Sequence, residues 1–278
     1  MYQIKLIHDL DLDSTLFSGQ AFRWYKKNEW YYGYIKNTFV KLRKYNNCIE
    51  YMNSENIKFE SEIIEYFDLN NNYYKIFENL DDHNAYLAYK RFKGMKVLNQ
   101  DPWECLISFI ISAWSNVPKI SKSINDLSIK LGVEKKIDTE VGHTFPTPGI
   151  LSDLDEKSLR NFSLGYRAKY VLGTSKLLNN NLDLIYDLFN YNYENSLKAL
   201  LKFPGVGDKV ANCVLVYSLK KSYAFPVDLW VERVLVDDYG INKKLSMLKK
   251  REWAQNYFGP YSGIIQHFLF HYKRQYNH

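Results

Sequence analysis

The sequence predicts an α+β fold, with a small antiparallel β-rich N-terminal domain over residues 1–88 and a larger all-helical domain over residues 89–278. Two observations support this division. Short runs of aromatic and β-branched residues, separated by Asn-containing turns, indicate strands in the N-terminal region. Beyond these runs the apolar residues recur with a helical period, so nearly all of the remaining chain is expected to be helical.

In the N-terminal domain, four short segments have strand character with polar turns between them. They lie at Phe22–Tyr25, Trp30–Ile35, Phe39–Arg43 and Ile49–Met52. This arrangement predicts an antiparallel meander with one face covered by a helix. The period of Ile57–Phe67 is typical of such a helix.

The helical domain has a clear start at Asp101-Pro102, an N-cap residue followed by a first-turn proline. The apolar run Leu106–Ala113 behind it predicts a central core helix. Further helices are predicted at Pro118–Leu131, Tyr166–Leu178, Leu182–Phe189, Tyr193–Lys202, Asp208–Leu219, Asp228–Tyr239, Leu245–Phe258 and Tyr261–Arg274. The proline-containing stretch 133–149 is expected to be a loop.

Composition limits the class of protein without identifying it. The net charge of +6 suits a polyanionic partner, although many enzymes that act on neutral substrates share such a value. Cys48, Cys105 and Cys213 are scattered and have no histidine cluster nearby. This excludes a recognisable zinc site, a four-cysteine iron–sulfur cluster and a disulfide framework, and it favours a reducing compartment.

The distribution of apolar residues along the chain predicts the location of the protein. Charged residues interrupt the apolar N-terminal run, which is unlike a signal peptide. No stretch approaches the ~18 uninterrupted apolar residues that a membrane span needs. We therefore expect a cytoplasmic protein with no membrane partner, associated with the nucleoid if the organism is prokaryotic.

A tight glycine turn, Gly205-Val206-Gly207, joins two predicted helices. Its glycines can adopt backbone angles closed to other residues, and its amides lie where a helix begins. Such a turn can hold a phosphate, often with a bridging monovalent cation. An ordinary helix–helix corner explains the turn equally well, because short glycine motifs match by chance.

Lys209 and Asp228 are the candidate reacting groups. Lys209 lies in the first turn of the helix after the glycine turn, with Cys213 four residues further on the same face. The spacing to Asp228, 228 − 209 = 19 residues, fits one helix and a return loop. Asp228 can therefore cap the next helix beside the start of the first. Taken singly, the lysine is best interpreted as a solvated charge and the aspartate as a simple helix cap.

Taken together, these residues are typical of helix-hairpin-helix glycosylases, and several separate blocks resemble the 8-oxoguanine DNA glycosylase family in particular. In chain order the blocks are SGQAFRW, DPWECLISFI, LGYRAKY, GVGDKVANC with PVD, and FGPYSGIIQHFLF. They extend over nearly the whole chain. The resemblance implies a β-rich domain on a helix-hairpin-helix glycosylase body, acting as a monomer on double-stranded DNA that contains 8-oxoguanine, without a cofactor.

The resemblance implies a bifunctional reaction. Asp228 stabilises the oxocarbenium-like sugar as the N-glycosidic bond breaks. Lys209, as a neutral amine, attacks C1′ and forms a Schiff base. That imine permits β-elimination of the 3′ phosphate, which makes the enzyme an abasic-site lyase as well.

A pocket for the flipped base is also implied. Gly19 occupies the family position whose carbonyl accepts the N7 hydrogen of 8-oxoguanine, which guanine lacks. Gln266 occupies the position that reads the pairing edge. Cys213 and Phe270 occupy the two sides of the base sandwich, and their i,i+4 spacing from Lys209 and Gln266 suits two facing helices. Without the resemblance, core packing would be the better interpretation of Cys213 and Phe270.

The wedge positions of the family carry unusual residues. Tyr166 and Arg167 match the aromatic plug and its neighbouring guanidinium, which suit restacking and contact with the opposite base; a surface helix cap is the alternative. Trp114 replaces an expected asparagine, and Lys119 replaces an expected arginine. We therefore hypothesise that Trp114 stacks on the orphan base and that the preference for cytosine is relaxed.

Two other positions depart from the family, and the resemblance implies that the first of them helps to hold a phosphate. The family histidine two residues after the aspartate is Trp230, and an acidic residue of the final helix is Lys273. Two alternatives remain open at this stage. One is a helix-hairpin-helix glycosylase for another lesion, and the other is a non-catalytic DNA-binding module.

Overall fold

The computed structural model describes residues 1–276 and confirms the α+β fold, with an N-terminal antiparallel sheet beside a mostly helical body. The strands of the sheet are β1 Tyr2–Lys5, β2 Tyr25–Lys27, β3 Trp30–Ile35, β4 Thr38–Tyr45 and β5 Cys48–Asn53, in the spatial order β1-β5-β4-β3-β2. Asn28, Lys36 and Asn46 close its hairpins with positive φ angles of 56°, 54° and 50°. The predicted meander is therefore present, extended by β1.

Each individually predicted helix is present with shifts at its ends, and residues 1–276 contain five further helices, over 12–16, 73–78, 83–91, 148–152 and 156–159. In chain order the helices are α1 Leu12–Leu16, α2 Glu60–Tyr66, α3 Tyr73–Glu78, α4 His83–Arg91, α5 Pro102–Ser112, α6 Val117–Leu131, α7 Pro148–Ser152, α8 Glu156–Leu159, α9 Ala168–Asn180, α10 Asp183–Tyr186, α11 Tyr193–Leu200, α12 Asp208–Tyr217, α13 Leu229–Arg233, α14 Met247–Phe258 and α15 Ser262–Tyr276. Single π-helical or 3₁₀ turns extend α8, α10 and α13. Over residues 1–276, the helices are too short or too polar to cross a bilayer.

The strand predicted at Phe22–Tyr25 is wrong for its first three residues, because their side chains are taken up by tertiary contacts. Phe22 packs in the core of the helical body, and Trp24 packs in the core between the sheet and α1–α2. A Cβ on Gly33 would lie only 2.2 Å from the Trp24 ring. The indole therefore crosses the sheet where the glycine leaves room, and pairing begins at Tyr25.

The loop predicted over residues 133–149 is also wrong in part. Strands β6 Glu134–Ile137 and β7 Glu140–His143 form a hairpin there. Ile137 is buried against Tyr32, Tyr34 and Phe39 on the outer face of the sheet. These strands have little alternation of their own, so contact with the sheet, rather than local pattern, stabilises them.

Tyr73 and Phe77 of α3 pack in the helical core although they precede residue 88. Leu98, beyond residue 88, packs in the core of the sheet. The two parts of the chain thus interlock around the predicted boundary. The boundary itself stays a prediction.

Arg23 joins the sheet region to the helical body. Its Nε and Nη2 donate to the two carboxylate oxygens of Glu104 in α5, at 2.7 and 2.6 Å, and its Nη1 donates to the carbonyl of His143 at 2.8 Å. The guanidinium carbon lies 4.2 Å from the centroid of the Tyr34 ring. A bidentate pair of this kind, with the Arg23 side chain only 4% exposed, fixes both partners in one geometry.

Replacement of this arginine should destabilise the fold strongly. Arg23→Met leaves Glu104 partly buried without a partner, which costs about 3 kcal/mol of the free energy of unfolding. Urea denaturation followed by circular dichroism measures the change. Arg160→Met, which breaks an exposed i,i+4 pair with Glu156, is the matched control and should change the free energy little. Equal effects of the two substitutions would contradict this account.

Candidate active site

The glycine turn between α11 and α12 has the geometry of a tight backbone loop. Gly205 has a φ of +77°, and a Cβ at that position would lie 2.6 Å from the Tyr170 side chain. Glycine is therefore required both by its backbone angle and by the close approach. The amide of Val206 donates to the carbonyl of Phe203 at 3.1 Å, which closes the turn.

Amides at the end of this turn are available to a ligand. Gly207 is the N-cap of α12 and provides no side-chain cap, and a Cβ there would meet no atom within 4 Å. Within residues 1–276 the amides of Gly205 and Gly207 donate to no acceptor. Free amides at the positive end of a helix form an anion site, so the turn suits a phosphate. The bridging cation stays a prediction.

Lys209 extends from the first turn of α12 toward α5. Its Nζ donates to the Ser112 Oγ at 3.3 Å and lies 5.0 Å from the centroid of the Phe109 ring. None of the carboxylates in residues 1–276 forms an ion pair with this amine. Its hydrogen-bond and ring contacts are therefore a hydroxyl and an aromatic ring.

Asp228 is the N-cap of α13, as its position before the helix predicts. Its Oδ1 accepts from the amides of Trp230 and Val231, both at 2.9 Å. The second carboxylate oxygen receives no hydrogen bond from a described residue. One oxygen thus fixes the carboxylate to the start of the helix, while the other is free to face a sugar.

The Cys213 thiol is under the electrostatic influence of both groups. It is buried, and burial raises its pKa to about 11, while the charge of Lys209 lowers the pKa and the charge of Asp228 raises it. Both ionisable groups are therefore close enough to act on one thiol. The structure brings Lys209, Cys213 and Asp228 together, and the thiol is neutral near physiological pH.

Gly19 and Phe270 form another part of the same site. Gly19 has a φ of +94°, and the Phe270 ring lies 3.8 Å from the position of a Cβ on this glycine. No described residue donates to the carbonyl of Gly19. An unpaired carbonyl beside an aromatic face suits an N–H donor on a planar base.

A buried network that the sequence did not indicate joins Gln266 to the Gly19 segment. The imidazole of His267 hydrogen-bonds the Ser18 hydroxyl at 2.9 Å through Nε2 and the Tyr217 hydroxyl at 3.0 Å through Nδ1. The Tyr217 hydroxyl also lies 3.4 Å from the Gln266 side-chain oxygen. Burial lowers the pKa of His267 well below its ordinary value, so this connection is a neutral one.

Trp114 is the most exposed aromatic side chain of the wedge positions, at 87%. Its φ of +52° is unusual for a bulky residue and presents the indole to the surface next to Tyr166, itself 43% exposed. Because Ser112 precedes it by only two residues, the same segment contacts Lys209. Lys119, in the first turn of α6, is also exposed.

Arg167 differs from its predicted setting, because it is only 6% exposed. Its guanidinium donates to the carbonyl of Ala113 at 2.6 Å and to that of Trp114 at 2.9 Å. These bonds support the strained backbone that presents the indole. Its contact with the opposite base stays a prediction.

The two remaining departures lie on α13 and α15. Arg233 places its guanidinium 4.8 Å from the centroid of the Trp230 ring. Lys273 forms ion pairs with Asp238 at 2.8 Å and Asp237 at 3.3 Å. Lys273 is therefore neutralised by neighbours on the surface and is not a free cation of the site.

The chain is similar to known proteins along nearly its whole length. Residues 4–106 match the family described as 8-oxoguanine DNA glycosylase, N-terminal domain, and residues 107–256 match HhH-GPD superfamily base excision DNA repair protein. The chain is 32% identical over 292 residues to the N-glycosylase/DNA lyase of Arabidopsis thaliana, covering 97% of this chain and 79% of that protein. It is also 32% identical over 235 residues to the probable N-glycosylase/DNA lyase of Methanothermobacter thermautotrophicus, covering 77% and 75%.

A solved structure extends the similarity to the whole fold. It is the Clostridium acetobutylicum 8-oxoguanine glycosylase/lyase in complex with double-stranded DNA containing cytosine opposite 8-oxoguanine. The TM-score is 0.91 at 32% identity, covering 100% of this chain and 98% of that one.

The setting of Cys213 makes a prediction about thiol reactivity. With a pKa of about 11, only about one thiol in a thousand is ionised at pH 8, so iodoacetamide should alkylate half-buried Cys48 first. Alkylation of Cys213 should rise with pH up to about 11. Asp228→Asn should lower that midpoint and Lys209→Gln should raise it. Mass spectrometry of the labelled peptides measures each rate, and a Cys213 midpoint near 8.5 would contradict the neutral thiol.

Proposed function

Because the chain belongs to the N-glycosylase/DNA lyases of the HhH-GPD superfamily, we propose that it excises 8-oxoguanine from duplex DNA through Lys209 and Asp228. The protein is a bifunctional base excision repair enzyme, with N-glycosylase and abasic-site lyase activities. The observation that carries the assignment of residues is that Lys209, just after the glycine turn, contacts a hydroxyl and an aromatic ring, while Asp228 keeps one carboxylate oxygen without a hydrogen bond from residues 1–276. The charges of both groups act on the Cys213 thiol.

The glycosylase step breaks the bond between C1′ of the sugar and N9 of the base. Electrons of that bond pass to the departing base, and positive charge develops on C1′ and the ring oxygen. The free oxygen of Asp228 stabilises this charge, since its other oxygen is held at 2.9 Å by two helix amides. The neutral amine of Lys209 then forms a bond to C1′.

The lyase step uses the same Lys209 nitrogen. Loss of the ring oxygen from C1′, with a proton, gives an imine between Lys209 and the opened sugar. Removal of a proton from C2′ then expels the 3′ phosphate by β-elimination, and water hydrolyses the imine to release the lysine. The Ser112 hydroxyl, 3.3 Å from the Lys209 Nζ, supports this role because it orients the amine without forming an ion pair with it.

Base recognition is assigned to the surrounding pocket. The unpaired carbonyl of Gly19 accepts the N7 hydrogen that distinguishes 8-oxoguanine from guanine. Gln266 reads the pairing edge, and the base stacks between Cys213 and Phe270. The neutral Cys213 thiol and the position of Phe270 beside Gly19 support this sandwich.

Binding of the duplex uses two surfaces. The free amides of Gly205 and Gly207 hold a phosphate at the start of α12, and the net charge of +6 favours the DNA partner. Trp114 and Tyr166 fill the gap left by the flipped nucleotide. We place the enzyme in the cytoplasm, as a monomer on DNA.

Neither alternative function accounts for the site. A DNA-binding module needs neither the unpaired amine of Lys209 nor the half-free carboxylate of Asp228. A glycosylase for another lesion has no reason to present an unpaired carbonyl at Gly19. The family match over residues 4–106 also favours oxidised guanine.

Borohydride trapping tests the assignment of Lys209 and Asp228. Wild-type protein should form a covalent complex with an 8-oxoguanine duplex, and Lys209→Gln should form none. Asp228→Asn keeps the cap of α13, because asparagine caps equally well, but should slow base excision about a hundredfold or more. Lys176→Gln, an exposed lysine of α9, is the control and should trap like wild type. Trapping by Lys209→Gln would overturn the mechanism.

Opposite-base preference tests the wedge. Trp114 stacks on any orphan base, so excision rates opposite C, A, G and T should agree within about tenfold, because stacking is sequence-tolerant. Trp114→Asn should lower DNA affinity and raise the relative preference for C. Single-turnover excision on four matched duplexes measures this. A preference for C of several orders of magnitude in the wild type would refute the hypothesis.

A further inference from the structure

Arg274 of α15 lies in the wall of the candidate base pocket. Its Nη1 is 2.8 Å from the position of a Cβ on Gly19, and its guanidinium carbon is 5.2 Å from the centroid of the Phe270 ring. Nη2 donates to the carbonyl of Phe17 at 3.1 Å. The guanidinium is thus anchored at one nitrogen and rests between the two residues assigned to the oxidised edge and the face of the base.

The remaining donors of this guanidinium are uncommitted. Within residues 1–276, Arg274 forms no ion pair and makes no hydrogen bond other than that to Phe17. Burial lowers its pKa and the charge of Asp228 raises it, so the two charges act on each other. An arginine presents five N–H donors, so most of them remain for a ligand.

The neighbouring cation provides a contrast. Lys273 is held by Asp237 and Asp238 and is neutralised outside the pocket. Among residues 1–276, Arg274 has no such partner. A half-buried guanidinium without a carboxylate is costly in an empty protein, and an oxygen acceptor on the substrate would offset this cost.

We propose that Arg274 binds the O8 carbonyl oxygen of 8-oxoguanine and stabilises the departing base. The inference rests on the proposed function, in which N7–H donates to the carbonyl of Gly19. O8 is attached to C8, the atom next to N7, so it lies on the same edge of the base. Nη1 beside Gly19 is the donor in reach of that edge.

The chemistry of bond breaking gives this contact a catalytic role. As the C1′–N9 bond breaks, its electron pair is delocalised from N9 through C8 onto O8. A fixed cation at O8 stabilises this negative charge more in the transition state than in the bound substrate. Guanine has C8–H in place of O8, so it lacks the acceptor that this contact uses, and its N7 lone pair would face the carbonyl of Gly19 instead of donating to it. The contact therefore also increases discrimination.

Three variants test the proposal. Arg274→Met removes the charge while retaining an unbranched side chain, Arg274→Lys retains a charge but loses the planar fork, and Lys273→Met is the control at the adjacent position. Single-turnover excision of 8-oxoguanine opposite cytosine is measured for each. Cleavage of a duplex with a preformed abasic site is measured in parallel, because that substrate has no base for Arg274 to contact.

The expected results differ between the two substrates. Arg274→Met should slow excision of 8-oxoguanine about tenfold or more, as expected for loss of a charge-assisted hydrogen bond. Arg274→Lys should retain an excision rate between those of Arg274→Met and the wild type. Abasic-site cleavage should stay within about twofold of wild type for all three variants. In the Lys209→Gln background, Arg274→Met should also weaken the preference of binding for 8-oxoguanine over guanine by about tenfold.

Two results would overturn the inference while leaving the proposed function intact. One is excision by Arg274→Met at the wild-type rate. The other is an equal loss of excision and abasic-site cleavage, which would indicate a structural role for Arg274. If wild-type protein itself fails to excise 8-oxoguanine, the proposed function fails instead.

Discussion

The burial of α12 beyond its first turn is the constraint on which the rest of the structure depends. Every residue from Val210 to Tyr217 is buried, so each polar side chain in that stretch must have a partner. Asn212 accepts from the Tyr193 hydroxyl at 2.9 Å, and the Tyr217 hydroxyl pairs with His267. These bonds fix the rotation of the helix. The orientation of the helix therefore leaves the glycine-turn amides and Lys209 at its N-terminal end, where the proposed binding of a phosphate and a sugar requires them.

Much of the fold could be predicted because its signals are local. The glycine turn, the Asp228 cap and the helical periods depend on residues close in sequence, and these elements lie where the patterns indicate. The hairpin β6–β7 has no such signal, since its strands are stabilised by contact of Ile137 with the outer face of the sheet. Strand β2 begins late because Arg23 and Trp24 find distant partners, Glu104 and the space beside Gly33.

In the candidate site, too, local sequence signals predict some residues and not others. Lys209 and Asp228 could be predicted from spacing and chemistry, but the settings of two arginines could not. Arg167 is directed inward because the fold offers it the carbonyls of Ala113 and Trp114. Arg274 enters the pocket because Phe17 anchors it there. An arginine has five donors, and only the tertiary structure decides which oxygens are in reach. The proposed reacting pair is thus surrounded by supporting residues that only the tertiary structure reveals.

The proposed mechanism requires the amine of Lys209, at the start of α12, to bond to the damaged nucleotide. Proteolysis of the borohydride-reduced complex, followed by mass spectrometry, tests this most directly because it identifies the modified residue. We predict that the sugar adduct lies on the peptide containing Lys209 and that fragmentation assigns it to that side chain. An adduct on another lysine, or on the N-terminal amine, would contradict the account.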